Sequence, residues 1–246
     1  MSIQVNTFEN LFRLSKAVAE KVLKSAQLAV DQRGRFLLVL CGGKTPLEMY
    51  GLLAESPYVD ELDWTKVHFF WSDERCVSPE SSDSNYHQAM MTFIGQMPVP
   101  LGHIHRILGE HGAEVAAIAY EKTLLGYADL GQSVPVFDLI LLGLGEDGHT
   151  ASLFPGSSLS ENGEPLAIPA FGEYQGRPVE RVTLTPRLIN AAREIVFLVA
   201  GQNKAAAVHA SIKGERDLLR WPAQRIAPLN GELIWMLNKA ASLNLE

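Results

Sequence analysis

The side chains of this sequence best suited to move a proton lie in one glycine-rich stretch, residues 136–156 (VFDLILLGLGEDGHTASLFPG). Within it Asp147 stands two positions before His149, and Gly143, Gly145 and Gly148 punctuate the turn that carries them. An imidazole with its ordinary pKa of about 6.5 accepts and returns protons at neutral pH, and a carboxylate beside it can orient the ring. The apolar run just before, residues 137–142, reads as a fully buried strand. Open α/β sheets take their ligands beyond the carboxyl ends of such strands, so this turn is a candidate site with His149 as general base.

Two other readings of the turn compete. GLGEDG fits the dinucleotide pattern G-x-G-x-x-G, but Pro155 leaves barely two turns of helix after Gly148, and Glu146 and Asp147 would place negative charge against a pyrophosphate. The turn could also be structural only, with His149 satisfying backbone groups. Taken as a whole, DLILLGLGEDGHTASLFPGS resembles the most diagnostic segment of the 6-phosphogluconolactonase family, hydrolases of the oxidative pentose phosphate pathway.

A second junction suits an anion. Residues 35–41 (RFLLVLC) read as a buried strand running into Gly42, Gly43, Lys44, Thr45 and Pro46, with a helix behind. Thr45 fits the N-cap and Pro46 the first helical position. Free amides at a helix start point at a ligand, and the helix dipole favours negative charge there. A Walker A loop would need glycine at Leu38, so a nucleotide triphosphate site is excluded. The segment alone leaves a phosphate cradle and a bare helix start equally open; its likeness to the family's S/C-GG-x-TP segment implies phosphate binding.

The next strand, residues 66–72, ends in Asp73, Glu74 and Arg75. Such a run is often a solvated turn. At the carboxyl edge of a sheet, however, Arg75 could grip a phosphate or carbonyl oxygen, and Asp73 could accept a hydroxyl or orient a base. This DER-V segment, followed by Ser84 and Asn85, again resembles the family pattern. The polar loop 77–83 could move over the site. His103 and His105 alternate on one short strand, yet no third ligand stands at a metal-binding spacing, so they read as surface or satisfied histidines.

Helical or strand periodicity accounts for most of what remains. Residues 9–32 carry Leu11, Leu14, Val18, Val22 and Ala26 at helical spacing, and Gly34 is a stop. Helices are expected from Asn85, over 114–128, from Pro186 and over 202–211, where Lys204 in the first turn opposes the dipole and invites an anion. Strands are expected over 181–185, 194–200 and 231–237, and residues 156–180 form an irregular flap or loop with a short apolar piece at 166–171. Alternating strands and helices imply a doubly wound, mostly parallel sheet flanked by helices.

The bulk numbers fit one α/β domain spanning residues 1–246. A net charge of −7 opposes nucleic-acid binding, though not a small phosphate ester. The first residues lack a leader pattern and no apolar run reaches spanning length, so neither export nor a membrane is expected and the cytoplasm is. Cys41 and Cys76 suggest no disulfide framework. A monomer and a homodimer are equally compatible with the sequence.

The family resemblance runs along nearly the whole chain, through several segments in order. It implies a Rossmann-like, glucosamine-6-phosphate deaminase-like fold and a sugar-phosphate lactone as substrate, hydrolysed without metal or cofactor. His149 would be the base, Asp147 or Asp73 its orienting carboxylate, Arg75 the oxyanion partner, and Gly42, Gly43, Thr45, Arg181 and Lys204 the phosphate ligands. Related lactonases usually place an aspartate near Asn238. Glucosamine-6-phosphate deaminases share the cradle and the DGH turn but carry glutamate where this chain has Phe154. A non-catalytic sugar-phosphate-binding module is a third possibility.

Overall fold

A computed structural model describes residues 3–157, 159 and 165–245 of the chain. It opens with β1 (Ile3–Phe8) and α1 (Leu11–Arg33), continues through β2 (Phe36–Leu40), α2 (Lys44–Leu53), β3 (Val67–Trp71) and β4 (Asp73–Arg75), and then α3 (Asn85–Thr92), β5 (Ile104–His105) and α4 (Ala113–Leu125). β6 (Leu139–Leu142), β7 (Ala167–Phe171), β8 (Glu180–Leu184), α5 (Pro186–Ile189), β9 (Glu194–Val199), α6 (Ala205–Ile212) and β10 (Glu232–Asn238) complete it. Seven strands form a parallel sheet in the order β1-β10-β9-β6-β2-β3-β5. The doubly wound expectation holds.

The central strands β2 and β6 are buried at every position, which is why they read as unbroken apolar runs rather than alternating ones. α1 lays Leu14, Val18, Val22 and Ala26, all at 0% exposure, into the core. Fully burying a leucine or valine contributes about 1.5–3 kcal/mol, so this stripe docks the helix firmly. Asn10 caps it, its side chain accepting from the Arg13 amide at 2.9 Å, and Gly34 ends it as its position suggests.

The structure departs from the sequence reading in several places. β1 was not expected. It is an edge strand, exposed over most of its length, and so lacks an apolar run; pairing with β10 defines it. Asp73–Arg75 is a strand rather than a turn. β4 pairs antiparallel with β8, and β8 with β7, in a separate three-stranded sheet. The apolar piece at 166–171 is therefore strand β7; residues 158 and 160–164 of the expected flap lie outside the described residues. Thr45 does not cap α2. Gly43 takes that place at φ 101°, a backbone turn open to glycine, so the helix starts at Lys44 and no side chain caps it. The helices after Asn85 and Pro186 are short, and the expected 202–211 helix begins as a 3-10 turn, Gln202–Lys204, which runs into α6 with Lys204 at its cap. No helix among the described residues is long and apolar enough to cross a membrane.

Candidate active site

β9, β6, β2 and β3 are neighbours in the parallel sheet, so the loops leaving their carboxyl ends share one edge. Lys204 follows β9, Asp147 and His149 follow β6, Gly42–Thr45 follow β2, and Asp73–Arg75 follow β3. Arg181 joins them from β8 as the cross-strand partner of Arg75.

The imidazole of His149 is held on three sides. Asp147 Oδ1 lies 2.6 Å from Nδ1 and also accepts the His149 backbone amide at 3.2 Å. The Phe154 ring stands 4.9 Å away, and Tyr174 meets the imidazole edge-on at 4.5 Å. With Nδ1 engaged by the carboxylate, Nε2 is the nitrogen left to exchange protons. The side chain keeps 11% of its surface open, so it is not sealed in the core. Burial alone would raise the Asp147 carboxyl, but the hydrogen bonds from His149 and the charge of its ring outweigh this and hold it below the usual range.

Local backbone makes room for this pair. A Cβ on Gly145 would fall 2.1 Å from His149 Nδ1 and 2.4 Å from Asp147 Oδ1, so only glycine fits. The Gly145 amide donates to the His149 carbonyl at 2.8 Å, and Thr150 Oγ1 donates to the Gly143 carbonyl at 2.8 Å, tying the turn to the strand end. Asp147, not Asp73, therefore contacts the imidazole.

Asp73 has a different set of partners. It is 6% exposed and accepts Ser152 Oγ at 2.6 Å, while Asn85 Nδ2 donates to its backbone carbonyl at 2.9 Å. Asn85 in turn lies over Gly42, where a Cβ would meet Asn85 Oδ1 at 2.0 Å. A chain of contacts thus runs from the histidine turn through Ser152, Asp73 and Asn85 to the glycine junction. Glu74, pointing the other way, fixes the start of α3: its carboxylate accepts the amides of Asn85 at 2.7 Å and Tyr86 at 2.8 Å and the Ser84 hydroxyl at 3.0 Å. Burial pushes that carboxyl up, and these hydrogen bonds oppose the rise.

Cations line the remaining wall. Arg181, 2% exposed, donates from Nε to the Pro178 carbonyl at 3.0 Å and lies 5.2 Å over the Phe154 ring. Arg75 Nη1 donates to the Asp83 carbonyl at 2.6 Å, and Arg177 is ion-paired with the Asp83 carboxylate. Yet Arg75 Nε and Arg181 Nη2 are buried with no hydrogen-bond partner among the described residues, as is Asn85 Oδ1. A buried charged donor without a partner costs about 1–3 kcal/mol or more, so this corner is built at a cost that an oxygen-rich ligand would relieve. Burial pulls the Arg181 guanidinium down and Asp73 pulls it back up; arginine remains a cation throughout. Lys204, half-buried, completes the rim, its Nζ 3.3 Å from the Tyr174 hydroxyl.

Ser152, Tyr174 and Arg177 carried no signal in the sequence, because they stand in irregular segments whose position only the fold sets. Asn238 accepts the Gly201 amide at 3.1 Å and the Ala241 amide at 3.0 Å. Its side-chain oxygen thereby steadies the loop that presents Lys204, a task open to either an aspartate or an asparagine. His103 and His105 do not enter the site. They gather with His68 and Tyr127 near the edge of the large sheet, and among the described residues no group of three histidine, cysteine or acidic side chains could hold a metal ion.

A doubly wound α/β protein with a proton-transfer pair and buried guanidinium groups at its ligand-accepting edge is what fold and site together define. The chain belongs to the glucosamine-6-phosphate isomerase/6-phosphogluconolactonase family, whose model matches residues 9–235. It is 39% identical to a 6-phosphogluconolactonase of Synechocystis, over 100% of this chain and 99% of that one. With a 6-phosphogluconolactonase of Nostoc it shares 36% identity, over 91% of this chain and 90% of the other. Its fold is similar to that of 6-phosphogluconolactonase from Trypanosoma brucei, with a TM-score of 0.86 and 26% identity over 100% of this chain and 99% of that one.

Proposed function

We propose that this chain hydrolyses 6-phosphoglucono-δ-lactone to 6-phosphogluconate, the lactonase step of the oxidative pentose phosphate pathway. The observation that carries the reading is the Asp147–His149 pair, 2.6 Å apart, on the edge that also bears Arg75 and Arg181. The names of the Synechocystis and Nostoc relatives support it.

In this reading Gly42, Gly43, Thr45, Arg181 and Lys204 hold the phosphate, so that binding energy remote from the reaction places the ring. His149 Nε2 takes a proton from water as the water oxygen attacks the lactone carbonyl carbon. Asp147 stabilises the imidazolium that forms. Arg75 donates to the developing oxyanion, a role whose loss typically costs about two to three decades in turnover. When the bond between the carbonyl carbon and the ring oxygen breaks, the imidazolium returns its proton to that oxygen and the carboxylic acid is released. Asp73 acts through Ser152 and Asn85, aligning the histidine turn with the glycine junction.

Phe154 weighs against the deaminase alternative. It packs between the imidazole and the Arg181 guanidinium, so the glutamate that the resemblance implies for deaminases has no counterpart there. The test is a coupled assay on freshly generated 6-phosphogluconolactone, corrected for spontaneous ring opening. Clear acceleration is expected for the phosphorylated lactone and little for unphosphorylated gluconolactone. No acceleration of either, or turnover of glucosamine 6-phosphate instead, would overturn the reading.

A further inference from the structure

Tyr174 stands in the segment between β7 and β8, and nothing in the reading above requires it. Its hydroxyl oxygen is approached by three N–H donors: Gln175 Nε2 at 3.2 Å, Lys204 Nζ at 3.3 Å and the Glu146 amide at 3.4 Å. A phenolic oxygen offers two lone pairs, so three donors saturate it as an acceptor, and all three distances are long. The hydroxyl hydrogen finds no acceptor among the described residues. Glu146 Oε1 accepts Asn203 Nδ2 at 2.7 Å and Gln175 Nε2 at 3.1 Å, and its carboxylate makes no hydrogen bond with the phenol. Meanwhile the ring meets the imidazole of His149 edge-on with centroids 4.5 Å apart, which places the phenol on the wall of the same cleft.

From this geometry we infer that Tyr174 is a substrate-binding residue whose O–H donates to the phosphate oxygen paired with Lys204. The inference rests on the proposed phosphate role of Lys204 and extends it to the specificity for a phosphorylated ligand. The ammonium beside the phenol oxygen polarises the O–H bond and strengthens it as a donor to an anion. Gln175 and Glu146 hold the ring in that orientation, so little freedom is lost on binding. Lys204 and Tyr174 together then present an ammonium and a phenol to one anionic group, whereas an unphosphorylated sugar would leave both unused.

The experiment compares wild type, Tyr174→Phe and Lys204→Met in turnover of the phosphorylated lactone and in calorimetric binding of 6-phosphogluconate. Tyr174→Phe keeps the ring against His149 and removes only the hydroxyl. Its KM and its Kd for 6-phosphogluconate should each rise about tenfold or more, with kcat changed less than twofold. In the double variant the losses should fall short of the product of the single ones, because both groups serve one phosphate. An unchanged Kd, or a fall in kcat without a rise in KM, would overturn the assignment. Circular dichroism and the thermal midpoint of Tyr174→Phe should match wild type; if they do not, Tyr174→Leu, which also lacks any donor, is measured instead, and a wild-type Kd in that variant would refute the inference. Should wild type bind 6-phosphogluconate but not hydrolyse the lactone, the proposed function fails while the binding comparison still decides Tyr174.

Discussion

His149 lies beyond the carboxyl end of β6 with a carboxylate 2.6 Å from its Nδ1. His68, His103 and His105 collect near the edge of the same sheet, among one another, Phe70, Tyr127 and Arg35. Burial, the other histidines and Arg35 drive His68 down to about 4; burial and His103 do the same to His105. The His68 and His105 rings are neutral at neutral pH and share hydrogen bonds, with His68 Nδ1 3.2 Å from His105 Nε2 and the Tyr127 hydroxyl 2.8 Å from the latter, whereas His103 Nδ1 is buried without a partner among the described residues. The difference teaches that crowding imidazoles together does not make a base. What separates the two regions is a carboxylate beside the ring that can hold an imidazolium.

The sharpest way to break this contrast is His149→Ala. It should lower kcat by about a thousandfold, within the usual range for losing a general base, while 6-phosphogluconate binding measured by calorimetry stays within a few-fold of wild type. Retention of most of the activity would refute the mechanism. Gly145→Ala comes next. Its methyl would overlap both members of the pair, and displacement by about an ångström should cost about a hundredfold in kcat without unfolding, read by assay and circular dichroism together.

Arg181→Met should act on binding instead. Loss of a charge-assisted contact predicts a KM for the phosphorylated lactone raised roughly tenfold or more; an unchanged KM would remove Arg181 from the phosphate site.

The smallest effect on turnover should come from His68→Phe and His105→Phe, which should leave kcat and KM at neutral pH unchanged. Their signature is in stability. Each histidine's folded pKa lies below the unfolded value of about 6.5, so the unfolded chain binds more protons between that pH and about 4. Stability therefore falls as pH drops through that window. Either variant should flatten the pH dependence of the urea midpoint there, and an unaltered slope would show that the cluster is not what the acid titrates.

Much of the site was legible because it is local. Asp147, Gly148 and His149 are contiguous, in a turn that three glycines announce. The strand–glycine–helix junction at residues 41–46 was equally plain, though its cap was not: which residue starts α2 depends on the φ of Gly43. The choice between Asp147 and Asp73 as the imidazole's partner was not legible at all. Both follow strands at the same edge, and only the placement of Ser152 and Asn85 shows that Asp73 is already engaged. Tyr174 and Arg177 were invisible for a related reason, since an irregular segment has no period from which a side chain's direction can be inferred.

By itself the sequence determined the parallel core, the long first helix and the turn that carries His149. Each is dictated by hydrophobic spacing or glycine placement within a dozen or so neighbouring residues, so no distant partner is needed to read it. Only the tertiary structure decided that the exposed residues 3–8 complete the large sheet and that residues 73–75 leave it for a second one. It alone set Arg75 opposite Arg181 and brought Tyr174 between His149 and Lys204. Strand pairing and side-chain convergence are relations between segments far apart in the chain, and their free energy exists only once those segments meet.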